Sequence, residues 1–200
     1  MLRFYKLIST LLHPVVIPTI GSLLFLHLTP QIIIKERQYL LLAIVFFATY
    51  IVPIIILFIL KTLGVISSFK VSTIKERKIP LFVMMIVFYI LGNLFYNIPE
   101  FKEFGMLFYG TNIAMAIIYL LFSFQLKASL HLMSISSAIG FFLIFGYVNS
   151  ITTLPIVAIL FLLSGLLGSS RLYLKAHSKQ EVYLGFFLGF FCQFVIFYIL

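Results

Sequence analysis

The sequence predicts an all-α fold, a polytopic transmembrane helix bundle of six or seven spans, organised as a single domain over residues 1–200. Three observations predict it. Of the 200 residues, 63% are hydrophobic and 10% are charged, and the mean hydropathy is +1.21. A soluble domain of this length has too little polar surface to cover so much apolar material, so lipid must cover much of it. The apolar residues fall into long runs, near 11–29, 39–60, 80–97, 106–126, 130–148, 153–169 and 182–200. A helix needs roughly 20 such residues to cross the hydrocarbon layer; the runs at 39–60 and 106–126 meet that length easily, and 153–169 is marginal. The charged residues collect at the junctions between runs, where helix ends meet lipid headgroups.

The chain carries 14 Lys and Arg against five Glu and no Asp, a net charge of +9. That balance favours an anionic partner: lipid headgroups, phosphate esters or the membrane surface. Nucleic acid is excluded as a partner, because no loop is long enough for a reader domain and the basic residues are scattered. The single cysteine, Cys192, lies inside the last apolar run, which leaves no intrachain disulfide and no cysteine metal site.

Taken in order, MLRFYKLIST places two basic residues before an apolar run. No small-residue cleavage site follows, so the segment reads as a retained first helix, kinked or interfacial at Pro14 and Pro18. His13 and His27, near its two ends, read as interfacial polar residues. A second helix runs to about Leu60, and the longest polar stretch follows it, with Lys61, Lys70, Lys75, Arg77 and Lys78 against Glu76. By itself that stretch reads as a solvated loop meeting headgroups. Asn97 to Gly105 reads as a plain connection. At the next junction, KASLH, Ser129 and His131 are two residues apart and would face opposite ways on a continuous helix. They converge if Ser129 caps the following helix and the chain before it is extended. The free amides of such a helix start make an anion site.

The segment Ser170 to Glu181 brings Ser, Arg, His and a carboxylate together between two apolar runs. On a helix, Ser170, His177 and Glu181 share one face and Arg171 takes an adjoining one. An imidazole braced by a carboxylate beside a guanidinium is what phosphoryl transfer through a histidine requires. With the intervening runs crossing the bilayer, Lys70 and Arg77, Ser129 and His131, and Arg171 and His177 all lie on one membrane side.

In this order and spacing, these residues resemble the three-part signature of the type 2 phosphatidic acid phosphatase superfamily, over the chain from Lys70 to its end. The first motif of that family is Lys, six residues, then Arg-Pro, and Lys70 and Arg77 have that spacing. The second is Pro-Ser-Gly-His, matched by Ala128-Ser129-Leu130-His131. The third is Ser-Arg, five residues, His, three residues, Asp, matched by Ser170, Arg171, His177 and Glu181. The chain departs from the pattern in four places. Proline follows Arg77 only at Pro80, which moves a helix start. Ala128 replaces a proline, Leu130 a glycine that gives the phosphate steric room, and Glu181 an aspartate.

The resemblance implies a membrane lipid-phosphate or lipid-diphosphate phosphatase that works through a phosphohistidine, without metal or other cofactor. It assigns His177 as nucleophile, Glu181 as its orienting carboxylate and His131 as general acid and base. Lys70, Arg77, Arg171, Ser129, Ser170 and the Leu130 amide are implied to bind the phosphate. Phosphatidate, phosphatidylglycerol phosphate and polyprenyl diphosphate all suit a site at headgroup depth. Two alternatives stay open, a lipid phosphotransferase and a non-catalytic binder of lipid phosphates. The expected location is a bacterial cytoplasmic membrane. The excess of basic residues on the motif side puts the site in the cytoplasm, whereas the resemblance implies the periplasm or a lumen, so the face is left open.

Overall fold

The computed structural model describes residues 1–29, 33–69, 71 and 73–200. Lys70 therefore lies outside the described residues, as do Pro30, Gln31, Ile32 and Ser72.

The first apolar run is two helices rather than the single kinked helix expected. Helix α1 (Leu2–Leu11) stops ahead of Pro14, because proline donates no hydrogen bond and disfavours helical geometry in the residue before it. Helix α2 (Ile17–Leu28) takes Pro18 within its first turn, where the missing N–H costs nothing. Its 12 residues reach about 18 Å, short of the hydrocarbon thickness. Helices α3 (Lys35–Phe46) and α4 (Val52–Thr62) join through a π-turn at Phe47–Ile51. Pro53 follows that turn directly, and the widened turn absorbs the carbonyl that proline leaves without a donor.

Helix α5 (Ile74–Tyr96) opens on a reciprocal capping box between Thr73 and Glu76, a pairing that satisfies two of the helix's orphan amides. This box overrides the helix start expected at Pro80. The helix starts before the proline, and Arg77 rides on its first turn. A 3₁₀ turn at Pro99–Phe101 leads into α6 (Lys102–Leu121), which ends in a second 3₁₀ turn at Phe122–Phe124 and a left-handed Gln125. Helices α7 (Leu130–Asn149), α8 (Leu154–Tyr173) and α9 (Lys179–Ile199) complete the chain.

Six helical stretches are long and apolar enough to cross a membrane: Lys35–Thr62, Ile74–Tyr96, Pro99–Phe124, Leu130–Asn149, Leu154–Tyr173 and Lys179–Ile199. The protein is an integral membrane protein, all-helical in its described residues. Helix α7 is the hub, packed by α9, α8, α6 and α2. In its most apolar stretch 78% of residues are buried, against 22% for the α3–α4 span. Close approach of α7 and α9 depends on Gly140, where a methyl group would press on the Phe190 carbonyl; small residues at such crossings let two backbones meet.

Helix α2 runs alongside α7. It starts near His13, whose ring meets that of His131, and ends with Phe25 packed on Phe104 and Phe145 at the other end of the bundle. It is apolar but shorter than the six spans it packs among. The chain begins at one end of the bundle, with α1 against α8, and finishes at the other, where Ile196 and Phe197 border Glu103 and Val148.

Candidate active site

The third motif is not one helix. Helix α8 ends at Tyr173, and Lys175 turns the chain with a left-handed φ of 51°. Helix α9 then starts from Ser178, whose hydroxyl accepts the Glu181 N–H at 3.3 Å. The Glu181 carboxylate completes the capping box by accepting the Ser178 N–H at 3.3 Å. The same oxygen, Oε2, meets His177 Nδ1 at 2.7 Å. The pairing of His177 and Glu181 therefore survives the loss of the helix, because the cap aims the carboxylate backwards. An ionised carboxylate only accepts, so Nδ1 carries the hydrogen and Nε2 presents its lone pair.

His177 is buried. Burial pushes its pKa below the ordinary histidine value, the hydrogen bond to the Glu181 carboxylate works against that, and the positive charges of Arg77 and Arg171 reinforce the lowering. The lowering favours the neutral imidazole, the form a nucleophile needs.

Helix α7 is fixed to this turn through its cap. Ser129 is the N-cap residue, in extended conformation, and its N–H donates to the Glu181 carbonyl at 2.9 Å. One turn along α9, a methyl group at Gly185 would collide with the Ser129 carbonyl oxygen. The extended cap expected from sequence is present, but the Ser129 side chain makes no capping bond. Its Oγ is buried without a partner, as are Ser170 Oγ, His131 Nε2 and Arg171 Nε.

Arg171, in the last turn of α8, donates from Nη1 to Ser9 Oγ at 2.7 Å. Arg77 donates from Nε to the Val71 carbonyl at 2.9 Å. Both arginines, with Leu130, His131 and His177, line a cavity of about 220 Å³. Its remaining wall is mostly apolar, with Ile56, Leu57, Met84, Phe88, Met115 and Met133. Along α5 the lining extends from Arg77 to Phe88, a drop of about 16 Å at the rise of an α-helix. One end of the cavity thus offers cations and imidazoles, and the rest offers hydrocarbon.

Arg77 of the first motif meets the second and third motifs in one place. Arg77, Leu130, His131, Arg171 and His177 reach the cavity wall, Glu181 stands one hydrogen bond behind, and Ser129 and Ser170 are buried with unpartnered hydroxyls. Two residues at this end were not expected as site components, Ser9 on Arg171 and His13 on the cavity wall. No local pattern marks them, since each meets its partner across more than a hundred residues of chain. Compared with protein-family models, with curated proteins and with solved structures, the chain matches none.

Proposed function

We propose that this protein is a membrane phosphatase that hydrolyses a phosphate monoester or diphosphate carried by a lipid. The observation that carries the reading is the two-part cavity, with Arg77, Arg171, His131 and His177 at one end and an apolar channel behind them. An amphiphile entering from the bilayer would leave its tail among Leu57, Met84 and Phe88 and its phosphate between the guanidinium groups. Planar guanidinium forks match phosphate oxygens, and in a water-poor pocket their stabilisation of developing charge is strong.

In the first step the His177 Nε2 lone pair forms a bond to phosphorus. The bond from phosphorus to the lipid oxygen breaks, and its electron pair leaves with that oxygen, which takes a proton from Nε2 of the His131 imidazolium and leaves that ring neutral. Glu181 stabilises the positive charge that develops on the His177 ring. In the second step a water oxygen attacks phosphorus while His131 takes its proton, the P–N bond breaks, and inorganic phosphate leaves with His177 restored. The Leu130 amide begins α7, where first-turn N–H groups lack helical acceptors and suit a phosphate oxygen. The proposed location is a bacterial cytoplasmic membrane.

A second reading, a binder of lipid phosphates without turnover, is favoured by Leu130, whose side chain occupies cavity wall beside His131. One experiment separates the two. Purified protein in nanodiscs should release phosphate from phosphatidate, phosphatidylglycerol phosphate or polyprenyl diphosphate, and His177→Ala should abolish release while leaving lipid binding intact. Release that persists in His177→Ala rejects the mechanism. Binding without release in the wild type supports the binder, and phosphate appearing on an added acceptor lipid supports a transferase.

A further inference from the structure

The N-terminal helix reaches the site from the far end of the chain. Helix α1 lies on α8, where Tyr5 stacks on Tyr173 at 4.2 Å. Its last turn carries Ser9, which is 7% exposed. The last carbonyls of a helix have no donor of their own. Here the His13 N–H turns back to Thr10 rather than to Ser9. His131 Nε2 is buried at this end of α7 without a partner. Ser9 turns its hydroxyl to the site, where it accepts the Arg171 bond at 2.7 Å. His13, just beyond the helix, meets the His131 ring edge-on, with centroids 5.0 Å apart and an interplanar angle of 81°.

We propose that Ser9 and His13 are positioning residues of the site, Ser9 holding Arg171 on the phosphoryl group and His13 holding the His131 ring in line with the leaving oxygen. The inference rests on the phosphatase reading above. As the P–O bond breaks, its electron pair stays on the lipid oxygen, and the proton from His131 Nε2 ends there. General acid catalysis contributes about 10²–10⁴-fold only while that proton stays within hydrogen-bond reach. A displacement of about 1 Å removes on the order of 10²-fold.

The test uses the full chain in nanodiscs and two substrates. p-Nitrophenyl phosphate leaves as a phenolate that needs no proton, and dioleoyl phosphatidate leaves as an alkoxide that does. His13→Ala should lower kcat on phosphatidate about 10-fold or more and leave p-nitrophenyl phosphate within about threefold. His13→Phe, which keeps an edge-on ring, should stay near wild type on both; it decides the matter if His13→Ala does not fold. Ser9→Ala should raise KM several-fold for both substrates, and Ser9→Thr, which keeps the hydroxyl, should restore it. Equal losses on the two substrates in His13→Ala, inactivity of a folded His13→Phe, or an unchanged KM in Ser9→Ala would overturn the proposal. Its failure is distinct from failure of the phosphatase reading, in which the wild type or His177→Ala would already give the wrong answer on both substrates.

Discussion

At one end of the bundle, where α5 turns into α6, polar side chains find each other. Arg37 pairs with Glu100, Asn149 donates to Glu103 at 2.7 Å and Asn97 donates to the Asn93 carbonyl at 2.7 Å. All of these contacts are open to solvent or headgroups. At the other end the polar groups around the cavity are largely buried and several are alone. Among the described residues, six buried side-chain polar atoms have no hydrogen-bond partner, and four of them are Ser129 Oγ, His131 Nε2, Ser170 Oγ and Arg171 Nε. Each such atom costs about 1–3 kcal/mol. A purely structural helix end has no reason to hold them, whereas an end that binds an anion satisfies them when the anion arrives.

The contrast can be broken at its strongest point first. Arg171→Ala removes a donor from the cavity and should lower kcat/KM for phosphate release on the order of 10²-fold, measured on lipid substrate. Next in size is Gly185→Ala, which forces α9 away from the Ser129 carbonyl. Overpacking of this kind costs about 1–3 kcal/mol and should appear as a lower melting temperature in detergent.

A smaller effect sharpens the picture. Glu181→Gln keeps a side chain able to form the capping box but removes the charge. Activity needs neutral His177 and so rises with pH through its pKa, which already lies below the usual value. Glu181 raises that pKa, so the neutral variant should move the acid limb of the pH–rate profile to still lower pH. A limb that moves up would reject the assigned pair. Smallest of all, Arg37→Ala at the paired end should change stability by less than about 1 kcal/mol and leave turnover unchanged. A large loss of activity there would mean that the two ends are not as different as their hydrogen bonds say.

The spans were legible because the hydrocarbon layer imposes one length and one composition on them. Their ends were less so. Pro80 read as a helix start, but the Thr73–Glu76 box begins α5 earlier, and a proline within a membrane helix is tolerated where its neighbours resatisfy the freed carbonyl. Of the site, the convergence of Arg77 with the second and third motifs on one end followed from counting traverses. The route by which Glu181 meets His177 did not, because a helix face and a cap box put the same two residues in contact at the same separation. Ser9 and His13 stayed invisible for a different reason. Their roles come from tertiary contacts of a short amphipathic helix, and its sequence carries only the usual pattern of a membrane-surface segment.

The doubly used Glu181 oxygen has a consequence for what this position tolerates. Replacing Glu181 with aspartate, the residue of the resembling motif, would draw the carboxylate back by about 1.5 Å. The acid would then have two donors, the Ser178 amide and the His177 ring, and reach enough for one. A chain that starts its last helix at Ser178 is thereby committed to the longer acid, and the swap back to aspartate should either fray the first turn or release the ring.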